Sequence, residues 1–220
     1  MLGFLIKKEL LIELRAKESF ITMASFSVVM IVTFAFTFTT TSGRFMEMAS
    51  GLFWMMALFT SVLGLQRSYS YESEFDAFSA LLSSPVDRGQ IFLAKWFSGF
   101  ILLTLIEFIA LVPFLLFLRI QIPENFIQGI GIILLGNSAM MCLGSFLSGM
   151  AMRSRLSNVL VPIILFPLLC PVIIASVKST GSWMRGFPLT DWDTWVYVLV
   201  SFIVIFGLLG YALFEHITEE

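Results

Sequence analysis

One carboxylate stands where carboxylates seldom do. Glu107 lies in the middle of the apolar run LLTLIEFIALVPF. An acid at the centre of a bilayer costs about 2.5–3.5 kcal/mol on insertion scales unless it is protonated or paired. Two expectations follow: a neutral Glu107 bonded across a helix interface to a polar residue such as Asn137, or an acid with a part in transport. Asn137 and Ser138, inside a second apolar run, carry the same ambiguity.

Little else in the chain has catalytic spacing. The single histidine, His216, sits in the polar tail EHITEE and reads as a solvated side chain. Cys142 and Cys170 fall in apolar runs with no histidine or second cysteine at ligand spacing, which speaks against a disulfide framework, a metal site or a cofactor held by this chain. No nucleophile–base pair stands out. The chain lacks G-x-x-x-x-G-K-[ST], the loop that cradles a triphosphate, so it is not expected to hydrolyse ATP itself.

The densest polar chemistry is the 32-residue stretch Gln66–Phe97, which holds seven charged residues between two oily runs. Arg67 is followed by Glu72, Glu74 and Asp76, interleaved with Tyr69, Tyr71, Phe75 and Phe78. Phe75, Phe78 and Leu82 recur at helical spacing and can share one face. Pro85 should end that helix, because the residue before a proline leaves the α region. Val86-Asp87-Arg88-Gly89 reads as a turn, with Gln90–Phe97 leading into the next apolar run. A short helix with an apolar face and acidic shoulders suits a groove on a partner protein. Its acids disfavour the alternative of a helix lying on an anionic leaflet.

The elements that must hold these residues are membrane spans. Of 220 residues 58% are hydrophobic and 13% charged, against about 45–50% and about 25% in soluble domains. Mean hydropathy is +0.95. Six runs approach the roughly 20 residues a span needs: Ser19–Thr41, Phe45–Leu65, Ser98–Leu118, Phe126–Met152, Leu156–Val177 and Thr194–Phe214. The expected fold is a single all-α domain over residues 1–220, a six-span bundle with a coupling helix between spans two and three.

The segment before the first span has high helix propensity. Ile6, Leu10 and Leu14 line up at four-residue steps, so it could lie in the interface as an elbow helix. No small-x-small cleavage site follows it, so it reads as retained. An N-in, C-in topology puts Lys7, Lys8, Arg15, Lys17, Arg67, Arg88, Lys95, Arg153 and Arg155 inside. It leaves only Arg44, Arg119, Lys178 and Arg185 outside.

Within the fourth span, the pairs Gly144/Ser148 and Ser145/Gly149 permit close helix contact, read as packing and as a candidate homodimer seam. Pro162, Pro167 and Pro171 should kink or break the fifth. Trp183, Trp192 and Trp195 fit an interfacial aromatic belt; a haem-stacking platform is the sharper alternative. The net charge of −2, without a dense basic cluster, gives no sign of nucleic acid binding.

Several motifs together resemble one family. The run Leu65-Gln-Arg67-Ser-Tyr69, the acidic residues after it, LLSSPVDRGQIFLAKW (with its Leu81-Leu82 pair), and the prolines of LFPLLCPVIIA are similar to the CcmB family, often called haem exporter protein B. More loosely they are similar to ABC-2 permeases. One departure is FDAF at Phe75–Phe78, where family members often carry Asp-Gly followed by Ser or Thr and Leu.

The resemblance implies a permease subunit of the ABC system for cytochrome c maturation, in the inner membrane. It would couple ATP hydrolysis by a separate subunit to delivery or release of haem on a periplasmic chaperone, alongside other haem-handling membrane proteins. The ATPase-docking residues would be Arg67, Glu72, Glu74, Phe75, Asp76, Phe78, Leu81, Leu82, Pro85 and Arg88. Two other readings remain open: an ABC-2 exporter of a lipid, polysaccharide or drug, and a non-transporting scaffold that recruits an ATPase.

Overall fold

The computed structural model describes residues 2–38, 45–74, 87–120, 123, 125–151 and 157–217. Among them are seven α-helices and one 3-10 turn: α1 (Leu2–Ala16), α2 (Glu18–Thr37), α3 (Phe45–Glu74), α4 (Arg88–Phe117), α5 (Phe126–Ala151), α6 (Ser157–Met184), the turn Leu189–Asp191, and α7 (Asp193–Ile217). Six of the helices, α2 to α7, are long and apolar enough to span a bilayer. Helices satisfy every backbone polar group within the segment, which is the condition for crossing hydrocarbon.

The six runs are where the sequence puts them, but their ends are not. Helix α3 continues nine residues past Leu65, and α4 begins ten residues before Ser98. The polar interruption is therefore helical from both sides, and only residues 75–86 lie outside the described ones. Asp87-Arg88-Gly89 is not a turn but the cap and first turn of α4. Asp87 Oδ1 accepts from Gly89 N at 2.9 Å, and Asp87 O accepts from Gln90 N at 3.0 Å, satisfying donors that a helix start leaves free.

Helix α1 is separated from α2 by Lys17, whose φ of 55° puts a non-glycine residue in the left-handed region. Where α1 packs on α4, Leu5, Glu9 and Glu13 are buried, at a four-residue step.

Helix α5 forms the middle of the bundle and packs on α3, α4, α6 and α7. Its small residues admit partners from the same chain: Gly136 faces the Trp54 ring, Gly144 faces Leu65 and Gly149 faces Phe214. The close approaches at Gly144 and Gly149 are thus taken up inside the chain rather than at a homodimer seam. Burial follows this arrangement. In the span windows 67% of α3 and 61% of α5 is buried, but only 22% of α2 and 11% of α7, so the latter two carry the broadest apolar outer faces.

Helix α6 runs unbroken through Pro162, Pro167 and Pro171, and extends seven residues past the expected end at Val177. His216 lies in the last turn of α7 rather than in a free tail.

Candidate functional site

The alternating direction of the spans gathers the end of α3, the start of α4, the end of α5 and the end of α7 at one end of the bundle, with α1 beside them. This end borders the interrupted segment, and its side chains are linked.

Lys95 lies about two turns into α4 and is buried. Its Nζ meets Glu9 Oε2 of α1 at 2.7 Å, both side chains being 5% exposed. Lys8 Nζ donates to the other oxygen, Glu9 Oε1, at 2.9 Å. Lys95 also lies 5.4 Å from the centre of the Tyr69 ring and 3.5 Å from Ser68 Oγ, both on α3. Burial pushes the Glu9 carboxyl up. The Lys95 and Lys8 ammonium groups outweigh that and hold it below its ordinary value of 4.5. A buried ion pair of this kind fixes register more than it adds stability. Here it fixes α1 to α4. A void of about 20 Å³ lies beside the pair, lined by Glu13, Ser68 and Tyr69 among others, roughly the space for one water.

A second link joins α4 to α7. The Tyr211 hydroxyl donates to Asp87 Oδ2 at 2.9 Å. Gly89 lies under the same ring: a Cβ there would stand 2.6 Å from Tyr211 Cε2, so only glycine permits the approach. Gly210 makes the reciprocal accommodation, lying against the ring of Phe92. Asp87 therefore caps α4 with one oxygen and holds α7 with the other.

The expected docking residues divide across this end. Arg67 is on the outer side of α3, where its guanidinium lies 3.7 Å from Glu18 of α2, both exposed; such surface pairs add about 0–1 kcal/mol. Glu72 and Glu74 fall in the last turn of α3, and Arg88 is the first residue of α4. Phe75, Asp76, Phe78, Leu81, Leu82 and Pro85 lie outside the described residues. Tyr69 turns into the bundle. It is buried, and its hydroxyl donates to Ser145 O of α5 at 3.0 Å.

Deeper in the bundle Glu107 is 1% exposed and Asn137 is fully buried. Asn137 Nδ2 donates to Glu107 Oε2 at 2.6 Å and to Thr104 Oγ1 at 3.2 Å. Glu107 Oε1 and Asn137 Oδ1 have no hydrogen-bond partner among the described residues. Two acceptors left facing apolar surroundings are costly, and one proton on the carboxyl would give this pair the missing donor.

Trp183 and Trp192 bond to backbone carbonyls of the chain. Trp183 Nε1 donates to Asn125 O at 2.8 Å, with its ring over Gly129. Trp192 is 2% exposed and donates to Phe187 O at 3.2 Å. Among the described residues no group of three His, Cys, Asp or Glu could hold a metal ion.

Sequence reasoning missed Glu9, Asp87 and Tyr211 as partners, and read Lys95 only as an inside charge. The signals were present. Glu9 and Glu13 share the row of Leu5, and Lys95 is the lone cation in IFLAKWF.

Six helices of membrane-spanning length among the described residues make this a multi-pass membrane protein. It belongs to the CcmB protein family, whose profile matches residues 1–215. It is 23% identical over 182 residues to Heme exporter protein B of Rhodobacter capsulatus, covering 83% of each chain.

Proposed function

We propose that this chain is the membrane permease component of a haem exporter serving cytochrome c maturation, driven by a separate ATPase subunit. The observation that carries the reading is the CcmB family match over residues 1–215. The name of the R. capsulatus relative points to haem as the cargo. An ATPase would dock on the segment between α3 and α4, at Arg67, Glu72, Glu74, Phe75, Asp76, Phe78, Leu81, Leu82, Pro85 and Arg88. A pull on that segment would reach α4 through the Asp87 cap and α7 through Tyr211. Helix α1 would lie as an elbow at the membrane surface, anchored by the Glu9–Lys95 pair. Both termini would be cytoplasmic, in the inner membrane. The prolines of α6 would let that helix bend during the cycle. A homodimer would pair two such bundles.

The test replaces Phe75, Phe78 or Leu82 by Asp, in cells lacking their own copy of the gene. A charge in an apolar groove has no partner and costs several kcal/mol. The variants should insert normally, release the ATPase on purification, and leave c-type cytochromes without covalent haem on peroxidase-stained gels. Retention of the ATPase by all three variants would sink the docking. Normal haem attachment in cells with no copy at all would sink the haem reading.

A further inference from the structure

Glu107 and Asn137 are buried, yet each keeps one oxygen, Oε1 and Oδ1, with no hydrogen-bond partner among the described residues. The bond from Asn137 Nδ2 to Glu107 Oε2 leaves these as two acceptors without a donor. No charged residue stands in for one. Helix α5 carries none, and neither do residues 19–37 of α2, 48–65 of α3, 157–177 of α6 or 194–213 of α7. Along the chain the neighbouring charges, Lys95 and Arg119, are each more than three turns away. The other titratable side chains of the packed spans are engaged or turned away. Cys142 donates to Ile203 O, Tyr69 to Ser145 O and Tyr211 to Asp87, while Tyr197 is exposed.

An apolar cavity of about 200 Å³ lies one turn farther along the same two helices, with Leu111, Phe114, Gly129 and Ile133 among its walls. Leu111 is four residues after Glu107, and Ile133 four residues before Asn137, so each shares a helix face with its polar neighbour. Because α4 and α5 run in opposite directions, both steps lead away from Asp87. From there the cavity reaches the connection between α4 and α5, where Ile120, Pro123 and Phe126 line it and Phe126 is 55% exposed. The space persists because Gly129 supplies no side chain, and the Trp183 ring over it is held by its bond to Asn125 O. None of the lining residues is charged. Such a cavity is dry at rest and admits water only transiently, as a hydrophobic gate does.

Toward Asp87 the packing is tight. Leu103 and Met141, one turn that way on the same two helix faces, are buried. Gly99, a further turn along α4, lies directly against Met141 Cε. The void beyond them, beside Lys95, measures only about 20 Å³.

We propose that Glu107 is a proton-binding site, filled at neutral pH by one proton on Oε1 that bonds Asn137 Oδ1, and that this proton exchanges with water through the apolar cavity, from the end opposite Asp87. The proton gives Asn137 Oδ1 its donor and removes a charge that hydrocarbon disfavours. Exchange swaps the carboxyl proton for one from water, so the site stays neutral throughout. The cavity sets its pace, because water must enter apolar space to arrive. The proposal does not depend on the transport reading.

Infrared spectra of the full chain in lipid nanodiscs read the site directly, because a protonated carboxyl absorbs apart from ionised carboxylates. The protonated band should be present at neutral pH and missing in Glu107→Gln. Asn137→Leu should shift it, since the carboxyl loses the bond from Nδ2. In deuterium oxide the band should move as Oε1–H becomes Oε1–D. That movement should be several-fold slower in Ile133→Trp, which fills the cavity. Ile130→Trp, at another lining residue, makes the same test if Ile133→Trp does not assemble. Leu102→Phe, beside the small void near Lys95, should leave the rate unchanged. Absence of the protonated band at neutral pH overturns the proposal. So does its loss on adding sodium or potassium chloride, which would make this a metal-cation site. Equal exchange in the parent and the cavity-filled variant, or equal slowing by Leu102→Phe, overturns it as well.

Discussion

Glu107 and Asn137 show how one pair can be read at the level of single atoms. Asn137 Nδ2 donates to Glu107 Oε2, and one further oxygen on each side chain has no partner. Glu107→Gln supplies an amide donor of the same shape, so the variant should assemble and resist thermal unfolding at least as well as the parent. Glu107→Leu instead strands the Asn137 amide and should cost about 1–3 kcal/mol, read as a lower unfolding midpoint in detergent. If Glu107→Gln assembles but stops cytochrome c maturation, the acid proton belongs to the mechanism. This pair was legible in the sequence because a lone acid in an apolar run needs a partner, and few polar residues are on offer. The Glu9–Lys95 pair was not legible. Helix α1 carries charges on several sides, and only its docking on α4 decides which row is covered. Lys95→Met leaves Glu9 buried with Lys8 alone, and should loosen α1 by up to about 3–5 kcal/mol. The Glu9 carboxyl titrates below 4.5 in the folded chain. The pair's stabilisation is therefore present above that value and lost as pH falls through the lowered one. Protection of the α1 amides, taken relative to their intrinsic exchange at the same pH, should be high at neutral pH and fall in acid, with a smaller pH response in Glu9→Gln.

Among elements, the instructive case is the contact between α4 and α7. Both were expected as spans, but their link was not. Asp87 was read in a turn because Ser-Ser-Pro-Val-Asp-Arg-Gly has turn composition, and the same residues equally make a helix cap. The cap geometry, and the Tyr211 hydroxyl 2.9 Å from Asp87 Oδ2, resolve the ambiguity. Tyr211→Phe removes one partly exposed hydrogen bond, worth about 1 kcal/mol, and keeps the ring over Gly89. Assembly should survive it. If Asp87 carries force from the interrupted segment to α7, ATP hydrolysis by the complex should continue while haem attachment falls. Equal activity in both assays would make the contact a static one. Gly89→Ala tests the other half, and should damage assembly itself because the added carbon meets both the ring and the backbone oxygen of Tyr211. Helix α6 poses a related question. Its three prolines remove three amide donors, freeing the carbonyls four residues before each. The helix nevertheless continues, which local rules alone did not settle. Replacing Pro167 and Pro171 by Leu restores two donors. It should leave maturation unchanged if the helix is static, and uncouple it from hydrolysis if α6 bends.

The bundle as a whole was the most legible feature, because a span is set by the length of an apolar run and little else. Its end-points were the least legible. Polar turns continue a helix when neighbours receive them, as Glu18 receives Arg67 and Glu9 receives Lys95, and neither neighbour is close in sequence. The same limit applies to burial, since α3 and α2 have similar composition but differ threefold in how much of their span is covered. Orientation is a property of the whole molecule and follows from charge. Lys7, Lys8, Arg15, Lys17, Arg67, Arg88 and Lys95 gather at the Asp87 end, while Arg119, Lys178 and Arg185 lie toward the other. The asymmetry of Lys and Arg directs insertion, so the Asp87 end should be cytoplasmic. The burial of Lys95 does not weaken this, because orientation is fixed as the helices insert, before α1 docks. In a background of Cys142→Ala and Cys170→Ala, Ser73→Cys should resist a membrane-impermeant maleimide in intact cells. Thr190→Cys, exposed in the 3-10 turn at the far end, should react. After permeabilisation both should label. Outside labelling of Ser73→Cys in intact cells would invert the bundle. An inverted bundle would also remove the interrupted segment from any cytosolic ATPase, so this one measurement bears on the topology and on the energy source together.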